Sequence, residues 1–203
     1  MGKFLDKVYD ARDGGETKAL YDEWAASYDA EVTENGYVTP DRCARALKAQ
    51  GADLKAPILD FGCGTGLSGL ALRLAGFERI DGVDLSREML AEAEAKSVYR
   101  NLSLITAGDN PVEKSGTYNA IAAIGVIGAG AAPISVFDTL MKALGPGGKL
   151  VFSFNDHALA DKANEGRLAE WMDCGAARLL HREYGPHLTK ADLNANVYVV
   201  EKA

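Results

Sequence analysis

The fold is decided by residues 60–69, which have the sequence Asp-Phe-Gly-Cys-Gly-Thr-Gly-Leu-Ser-Gly. The apolar run 57–61 leads into this stretch and is typical of a buried strand, and residues 67–75 leave it with the periodicity of a helix. Glycines between a strand and a helix let a ligand approach the backbone, and the N-terminus of the helix offers that ligand unsatisfied N–H groups. The stretch therefore predicts a ligand site at the carboxyl end of a strand in an α/β sheet.

Short apolar runs and amphipathic segments alternate beyond this turn. Further strands are expected at residues 79–84, 102–106, 118–124 and 147–154, with helices starting after Ser86 and at residues 133–144 and 163–174. Two β-rich runs, 177–184 and 195–202, close the chain without a long crossover, which favours an antiparallel hairpin. The alternation predicts a mostly parallel seven-stranded sheet with helices on both faces and this hairpin at its C-terminal edge.

The segment before the sheet, residues 1–55, is polar and helical in pattern. Tyr21, Trp24 and Tyr28 follow one another at spacings of three and four, which is typical of one face of a helix. A second helix is expected to begin with Thr39 as its N-cap and Pro40 in its first turn. Gly51 is expected to end it.

Composition excludes several classes of protein. The 203 residues suit one domain, and 47% hydrophobic and 25% charged residues are typical of a globular chain. With 22 basic and 29 acidic residues, the formal net charge of −7 argues against a nucleic-acid partner, because nucleic-acid binding depends on neutralising phosphates. No apolar run approaches the roughly 18 residues of a membrane span, and the first residues contain no signal-peptide core. We expect a cytoplasmic protein without a membrane partner.

The three cysteines, Cys43, Cys63 and Cys174, are widely spaced along the chain. Their odd number and spacing indicate neither a disulfide framework nor a zinc cluster. Reduced thiols and no metal site are therefore expected.

The glycine turn is compatible with two adenosine cofactors. Gly64, Gly66 and Gly69 match the dinucleotide fingerprint, and Asp84 lies 20 residues after Gly64, at the spacing of a ribose-binding carboxylate. Asp60 at the end of the strand would repel a pyrophosphate, whereas it would attract the ammonium and sulfonium charges of S-adenosylmethionine. The roughly 50 residues after the fifth strand are also few for the separate substrate domain that dehydrogenases commonly have. S-adenosylmethionine is therefore favoured over a nicotinamide dinucleotide.

Four segments together resemble class I S-adenosylmethionine-dependent methyltransferases. Residues 58–66 resemble their motif I, and residues 82–90 resemble their second motif, in which a ribose-binding acid precedes Ser-x-x-Met-Leu. Residues 107–110 resemble the third motif, and residues 144–150 resemble the Pro-Gly-Gly entry to the fifth strand. Residues 21–29 are in addition similar to the Williams–Beuren syndrome region methyltransferase-like group.

The resemblance implies a Rossmann-like fold, methyltransferase activity and a set of cofactor-binding residues. Residues 1–55 are implied to be a helical lid that belongs to the same domain as the cofactor-binding residues 56–203. The implied contacts of S-adenosylmethionine are Gly62, Gly64 and Ile124 along its methionine part, Asp60 beneath its ammonium, Asp84 on its ribose, Leu85 and Met89 beside its adenine, Asp109 and Asn110 hydrogen-bonded to that ring, and Tyr21 and Tyr28 from the lid.

Purely structural roles stay open for some of these residues. Leu85 and Met89 are also compatible with the apolar core, and Asp109 with a turn. Tyr21 and Tyr28 are also compatible with a packing face.

No catalytic residue is predicted for the acceptor side. His157, His181 and His187 are expected at the surface or hydrogen-bonded, and no nucleophile is paired with a base. Methyl transfer is an in-line displacement, so positioning of the reactants can supply much of the rate. We expect a small-molecule acceptor whose pocket includes the small-residue loop 125–133. The alternatives are a nicotinamide-dependent oxidoreductase and a non-catalytic protein that only binds the cofactor.

Overall fold

The computed structural model describes residues 14–112, 114–128 and 131–203. Residues 1–13 of the expected lid and residues 129 and 130 of the small-residue loop lie outside this description. Two helices precede the sheet, α1 (Gly14–Glu34) and α2 (Thr39–Ala49). No helix of the described ranges combines the length and the apolar character that crossing a membrane requires.

Strands and helices then alternate along the chain. They are β1 (Pro57–Phe61), α3 (Leu67–Ala75), β2 (Arg79–Asp84), α4 (Arg87–Ala95), β3 (Asn101–Leu104), β4 (Ala120–Ala123), α5 (Ser135–Ala143), β5 (Lys149–Asn155), α6 (Asp156–Ala160), α7 (Lys162–Asp173), β6 (Ala177–Leu188) and β7 (Leu193–Lys202).

The strands form one seven-stranded sheet in the order β3-β2-β1-β4-β5-β7-β6. The first five strands are parallel, β7 is antiparallel to β5, and β6 is antiparallel to β7. The expected α/β, Rossmann-like sheet with a C-terminal hairpin is confirmed. Because β1 has β2 on one side and β4 on the other, a crevice opens where their carboxyl ends diverge.

Two apolar clusters cover the two faces of the sheet, and their residues alternate along the strands. On one face, Phe137 of α5 packs with Phe152 of β5, with the ring centroids 5.4 Å apart. On the other face, Leu47 of α2 and Leu72 of α3 cover Ile58 of β1. The central strands are buried on both faces, which explains why they are nearly continuous apolar runs in the sequence.

The entry to α2 differs from the expectation. Thr39 is the first helical residue, and Val38 occupies the N-cap position without a side-chain hydrogen bond. The prediction that Thr39 caps the helix is therefore wrong. Its hydroxyl instead lies 2.8 Å from Nδ1 of the buried His187, so a contact across the fold replaces the local cap.

The C-terminal hairpin is longer than its sequence pattern indicated. β6 extends to Leu188, and its pairing with β7 is interrupted by two bulges, between Leu179 and His181 and between Pro186 and Leu188. The extension carries the end of β6 to the N-terminal helices, where Tyr37 forms an antiparallel bridge with Leu188.

Candidate functional site

A cavity of about 290 Å³ lies at the carboxyl ends of β1, β2 and β4. Helix α1 lies on one side of it and the first turns of α5 on another. Nine of the eleven predicted site residues line this cavity: Tyr21, Tyr28, Gly62, Gly64, Asp84, Leu85, Met89, Asp109 and Ile124. Asp60 and Asn110 do not.

The glycine turn after β1 follows the backbone of β2 closely. The N–H groups of Gly62 and Cys63 both donate to the carbonyl of Val83, at 2.8 and 3.0 Å. Gly62 has φ +68°, and a Cβ at this position would lie 2.6 Å from Cγ2 of Val126. Gly64 also has positive φ, +52°, which L side chains rarely adopt. The turn therefore presents bare backbone to the cavity.

Asp84 joins this turn to the next helix. Its Oδ2 accepts a hydrogen bond of 2.8 Å from the Gly64 N–H, and its Oδ1 accepts one of 2.9 Å from the Ser86 N–H. Burial raises the pKa of the Asp84 carboxyl above its ordinary value, and the hydrogen bonds from backbone N–H groups oppose this shift. Each carboxylate oxygen has a second lone pair, so Asp84 can also accept from a hydroxyl in the cavity that it lines.

Asp60 lies behind the glycine turn and has no exposed surface. Its Oδ2 accepts hydrogen bonds from the hydroxyls of Ser68 and Tyr99, at 2.6 and 2.7 Å. Its Oδ1 is buried and has no hydrogen-bond partner within the described ranges. Burial raises the pKa of Asp60 to about 6, so this carboxyl is sensitive to any cation placed beyond the turn.

The two predicted residues after β3 both line a depression beside Asp81, but only Asp109 also lines the main cavity. Asp109 lines the main cavity, and its Oδ2 accepts from the Thr106 N–H at 2.7 Å. Asn110 lines that depression, and its side-chain oxygen accepts from the Val112 N–H at 3.2 Å.

The aromatic face of α1 divides into two parts. Tyr21 and Tyr28 line the main cavity, whereas Trp24 is only 2% exposed and packs behind them. The Trp24 ring centroid lies 4.6 Å from that of Tyr28 and 5.8 Å from that of Tyr21. Trp24, Val32 and Leu188 form a small apolar cluster of their own, which attaches α1 to the end of β6.

Polar contacts attach α1 to the glycine turn as well. Asp29 accepts a hydrogen bond from the Thr65 hydroxyl and forms an ion pair with Lys96, whose Nζ lies 2.6 Å from Asp29 Oδ2. Lys96 also donates to the Thr65 carbonyl at 2.7 Å. The three residues are far apart in the sequence, and nothing in their local patterns indicated this contact.

Sequence reasoning also missed part of the cavity wall. Ser135 and Thr139 line the cavity from the first turns of α5, and Tyr37 lines it from the connection between α1 and α2. The four-residue spacing of Ser135 and Thr139 places both on one side of a helix, and it is a signal that was available in the sequence.

A second, smaller cavity of about 60 Å³ adjoins the first. Both are lined by Tyr21, Tyr28, Tyr37, Gly125 and Ala131. The second cavity continues past the carboxyl ends of β4 and β5 to His187.

Comparison with known protein families identifies the family of this chain. Residues 34–196 match the model of a methyltransferase domain family. The chain belongs to this methyltransferase family. Within the described ranges no group of three or more His, Cys, Asp or Glu residues is arranged to hold a metal ion.

Individual relatives agree with the family. Methyltransferase-like protein 27 of Homo sapiens is 38% identical over 126 residues, which is 60% of this chain and 51% of the relative. The match thus spans about half the length of that curated relative.

Two solved structures share the fold of this methyltransferase. A TehB-like SAM-dependent methyltransferase from Corynebacterium glutamicum has a TM-score of 0.62 at 19% identity, covering 91% of this chain and 99% of that one. A SAM-dependent methyltransferase from Thiobacillus denitrificans, in complex with S-adenosyl-L-homocysteine, has a TM-score of 0.55 at 14% identity, covering 81% and 91%.

These matches confirm the expected methyltransferase family and its Rossmann-like fold. The residues of the site also fit the expected cofactor, S-adenosylmethionine. The bare backbone at Gly62 and Gly64 leaves room for a ligand, Asp84 offers acceptor oxygens, and the unpaired Oδ1 of Asp60 supplies negative charge close behind.

Proposed function

We propose that this methyltransferase binds S-adenosylmethionine in the 290 Å³ cavity and transfers its methyl group to a small-molecule acceptor. The observation that carries the proposal is the convergence of nine predicted residues, from five separate segments of the chain, on this one cavity.

The order of residues along the sheet edge supports one orientation of the cofactor. Asp109, Leu85 and Met89 lie at the β3 and β2 end and suit the adenine, and Asp84 at the end of β2 suits the two ribose hydroxyls. Gly62 and Gly64 follow at the end of β1, where the methionine part would lie.

The remaining predicted contacts belong to the methionine and adenine ends. Ile124, just after β4, would lie beside the methionine part. Asp60 would interact with the methionine ammonium from behind the turn, directly or through a water molecule. Asn110 would bond the adenine through its backbone N–H, which its side-chain position does not prevent.

When bound, S-adenosylmethionine supplies a methyl group on a sulfonium: an atom of the acceptor forms a bond to the methyl carbon while the carbon–sulfur bond breaks, and its electron pair stays on sulfur. The protein's part is to align the two molecules and to exclude water. Tyr21 and Tyr28 cover the cavity from α1, and their ring faces favour a nearby cation. We assign no residue as a general base here.

A small acceptor is supported by the size of the site. The two adjoining cavities measure about 290 and 60 Å³, and Tyr21 and Tyr28 of α1 line both of them. The formal charge of −7 argues against a nucleic-acid acceptor. We also propose that residues 1–55 form a lid within the same domain and that the protein is located in the cytoplasm.

Calorimetry with S-adenosylhomocysteine tests the cofactor site. The Asp84→Ala variant is expected to bind about 1–3 kcal/mol more weakly, because it loses charge-assisted hydrogen bonds to the ribose. Glu92→Ala is the matched control, since Glu92 is an exposed acid of α4 outside the cavity. No binding by the unchanged protein at millimolar ligand, or equal affinity in Asp84→Ala, would contradict the assignment.

The acceptor requires a transfer experiment. Methyl-labelled S-adenosylmethionine is incubated with the protein and with a cell extract divided into small-molecule, protein and nucleic-acid fractions. Label in the small-molecule fraction is expected. Label only in a macromolecular fraction would contradict a small acceptor, and binding without any transfer would indicate the non-catalytic alternative. Selective thermal stabilisation by NAD would indicate the oxidoreductase.

A further inference from the structure

The second cavity adjoins the main cavity at the end away from the residues proposed for the adenine. The sheet order β3-β2-β1-β4-β5 places the adenine and ribose residues at one end of the crevice and the glycine turn at its centre. The 60 Å³ cavity lies beyond that centre and includes Ser153 and Asn155 from the end of β5. A molecule in it would meet the sulfonium end of the cofactor rather than the adenine end.

His187 of β6 is held at this cavity in a defined orientation. Its Nδ1 lies 2.8 Å from the Thr39 hydroxyl, and its ring packs edge-on against Tyr37, with the centroids 5.2 Å apart and the planes at 79°. The His187 carbonyl also accepts from the Val38 N–H at 3.1 Å. The ring and the backbone of His187 are thus fixed by the connection between α1 and α2 and by the first residue of α2.

This arrangement leaves Nε2 as the ring nitrogen that can meet a molecule in the cavity. Within the described ranges, the hydrogen bond to Thr39 is the one that the His187 side chain forms, and it uses Nδ1. His187 is only 6% exposed, but it lines the second cavity. A buried imidazole that lines a cavity and has one nitrogen engaged by the protein can bind a polar group there through its other nitrogen.

The lining of the second cavity also defines the chemistry of its ligand. The described lining residues include no Asp, Glu, Lys or Arg, and several of them are aromatic, such as Trp24 and Tyr37. Burial lowers the pKa of His187 to about 4, so that its imidazole is neutral at physiological pH. Since a charged ligand would find no counter-charge on these walls, an uncharged ligand fits best.

We propose that the second cavity binds the methyl acceptor and that His187 holds it through a hydrogen bond to Nε2. The acceptor belongs to the class of uncharged small molecules with a flat apolar part and one hydrogen-bonding group. This inference rests on the proposed function, because it places the acceptor relative to a cofactor in the main cavity.

Nitrogen NMR of the imidazole rings tests the proposal directly. The chain contains three histidines, so their ring signals can be resolved and assigned. The protein is saturated with S-adenosylhomocysteine and titrated in turn with phenol and with benzoate, which have the same ring and differ in charge. Phenol is expected to shift the Nε2 signal of His187 and not those of His157 and His181, and benzoate is expected to shift none.

Two variants provide the comparison. His187→Phe keeps a flat ring but removes Nε2, and is expected to weaken phenol binding by about tenfold without changing the affinity for S-adenosylhomocysteine. His181→Phe is the control, because His181 lies on the same strand outside both cavities, and it is expected to change neither affinity.

The possible failures are distinguishable. If S-adenosylhomocysteine does not bind the unchanged protein, the proposed function fails. If it binds but phenol leaves the His187 signal in place, or binds equally to His187→Phe, the assignment of His187 is overturned. The titration of the unchanged protein is decisive even if His187→Phe does not fold.

Discussion

Burial shifts the pKa values of two titratable residues near the site in opposite directions. It raises the pKa of Asp60 to about 6 and lowers that of His187 to about 4, because in both cases a low-dielectric surrounding disfavours the charged form. Asp60 has one oxygen that is satisfied by two hydroxyls, and His187 has one nitrogen paired with Thr39. Each residue is thus anchored at one atom and keeps a second atom close to a place where a ligand would bind.

The shift of His187 predicts a measurable pH dependence of stability. Its pKa of about 4 in the folded protein lies below the ordinary 6.5, so its contribution to stability is complete above pH 6.5 and is lost as the pH falls to 4. In His187→Phe this loss is absent, and between pH 7 and pH 4 the variant should lose about 3 kcal/mol less of its free energy of unfolding than the unchanged protein.

Urea unfolding at several pH values measures this difference. The opposite contribution of Asp60 is present in both proteins and cancels in the comparison. His181→Phe, with its histidine on the same strand outside the cavities, should follow the unchanged protein. Parallel pH profiles for His187→Phe and the unchanged protein would contradict a buried, neutral His187.

The sequence predicted the residues of the site that act locally and missed those that act across the fold. Gly62, Gly64 and Asp84 were predictable because each lies at or just after the end of a strand, at a spacing that backbone geometry dictates. The pair Thr39 and His187 is separated by 148 positions, and neither residue has a neighbour that marks its role. Local propensity suggested a helix cap for Thr39, and a tertiary contact determined its actual role.

Helix α1 is attached to the rest of the protein by contacts of two kinds. Trp24 and Val32 pack against Leu188 of β6, and Asp29 contacts Thr65 and Lys96 beside the glycine turn. The apolar periodicity of α1 was visible in the sequence, so the helix was predictable. Its attachment to the turn was not, because the polar side of a helix is ordinarily solvated and carries no pattern that indicates a partner.

The polar attachment predicts how α1 opens. Lys96 and Asp29 have 19% and 39% of their side-chain surface exposed, so their ion pair is only partly screened by solvent. Removing it together with the Thr65 hydrogen bond in Asp29→Ala should increase amide exchange in α1 by about fivefold to tenfold. The alanine slightly favours the helix itself, which makes an increase a stringent result.

Hydrogen exchange followed by mass spectrometry measures this opening. Glu23→Ala is the control, because Glu23 is an exposed acid of the same helix. Glutamate is a better helix former than aspartate, so Asp29→Ala gains more helix propensity than the control, and faster exchange in Asp29→Ala cannot come from helix propensity. Equal exchange of α1 in the two variants would show that the Asp29 contacts do not hold the helix. Saturation with S-adenosylhomocysteine should slow the exchange in both, since its proposed site lies beneath α1.

At the scale of the whole molecule, the long hairpin connects the edge of the sheet to the N-terminal helices. β6 and β7 were expected to be shorter, because the polar residues toward the end of β6 interrupt its apolar pattern. Those residues are accommodated by bulges in the pairing and by a buried side chain of α2. Arg42 donates to the carbonyls of Glu183, Pro186 and Ala195, at 2.9, 2.8 and 3.1 Å.

The parallel part of the sheet was predictable from the sequence, whereas the length of the hairpin was not. Parallel strands joined by helices follow from alternating patterns that each segment carries in its own residues. The end of β6 instead depends on carbonyls that a single arginine from another layer satisfies. A sequence pattern shows which residues are apolar, but it does not show which distant side chain donates a hydrogen bond to a given backbone carbonyl.

Arg42 should therefore be a strong determinant of the stability of the methyltransferase. Arg42 is only 9% exposed. The Arg42→Met side chain would fill similar space but would leave the three carbonyls without their hydrogen-bond donor. The free energy of unfolding is expected to fall by about 2–4 kcal/mol, from unsatisfied acceptors in a partly buried place. Arg45→Met is the matched control on the same helix, since Arg45 is exposed and its ion pair with Asp41 is solvated.

Urea unfolding compares the two variants. Arg45→Met should stay within about 0.5 kcal/mol of the unchanged protein, as is usual for an exposed ion pair. The carbonyl of Pro186 directly precedes His187, so the loss of Arg42 also loosens the end of β6 that positions the imidazole. The His187 ring signals should then become broader or heterogeneous in Arg42→Met and stay unchanged in Arg45→Met. Equal stabilities of the two variants would show that the end of β6 is held by the sheet pairing alone.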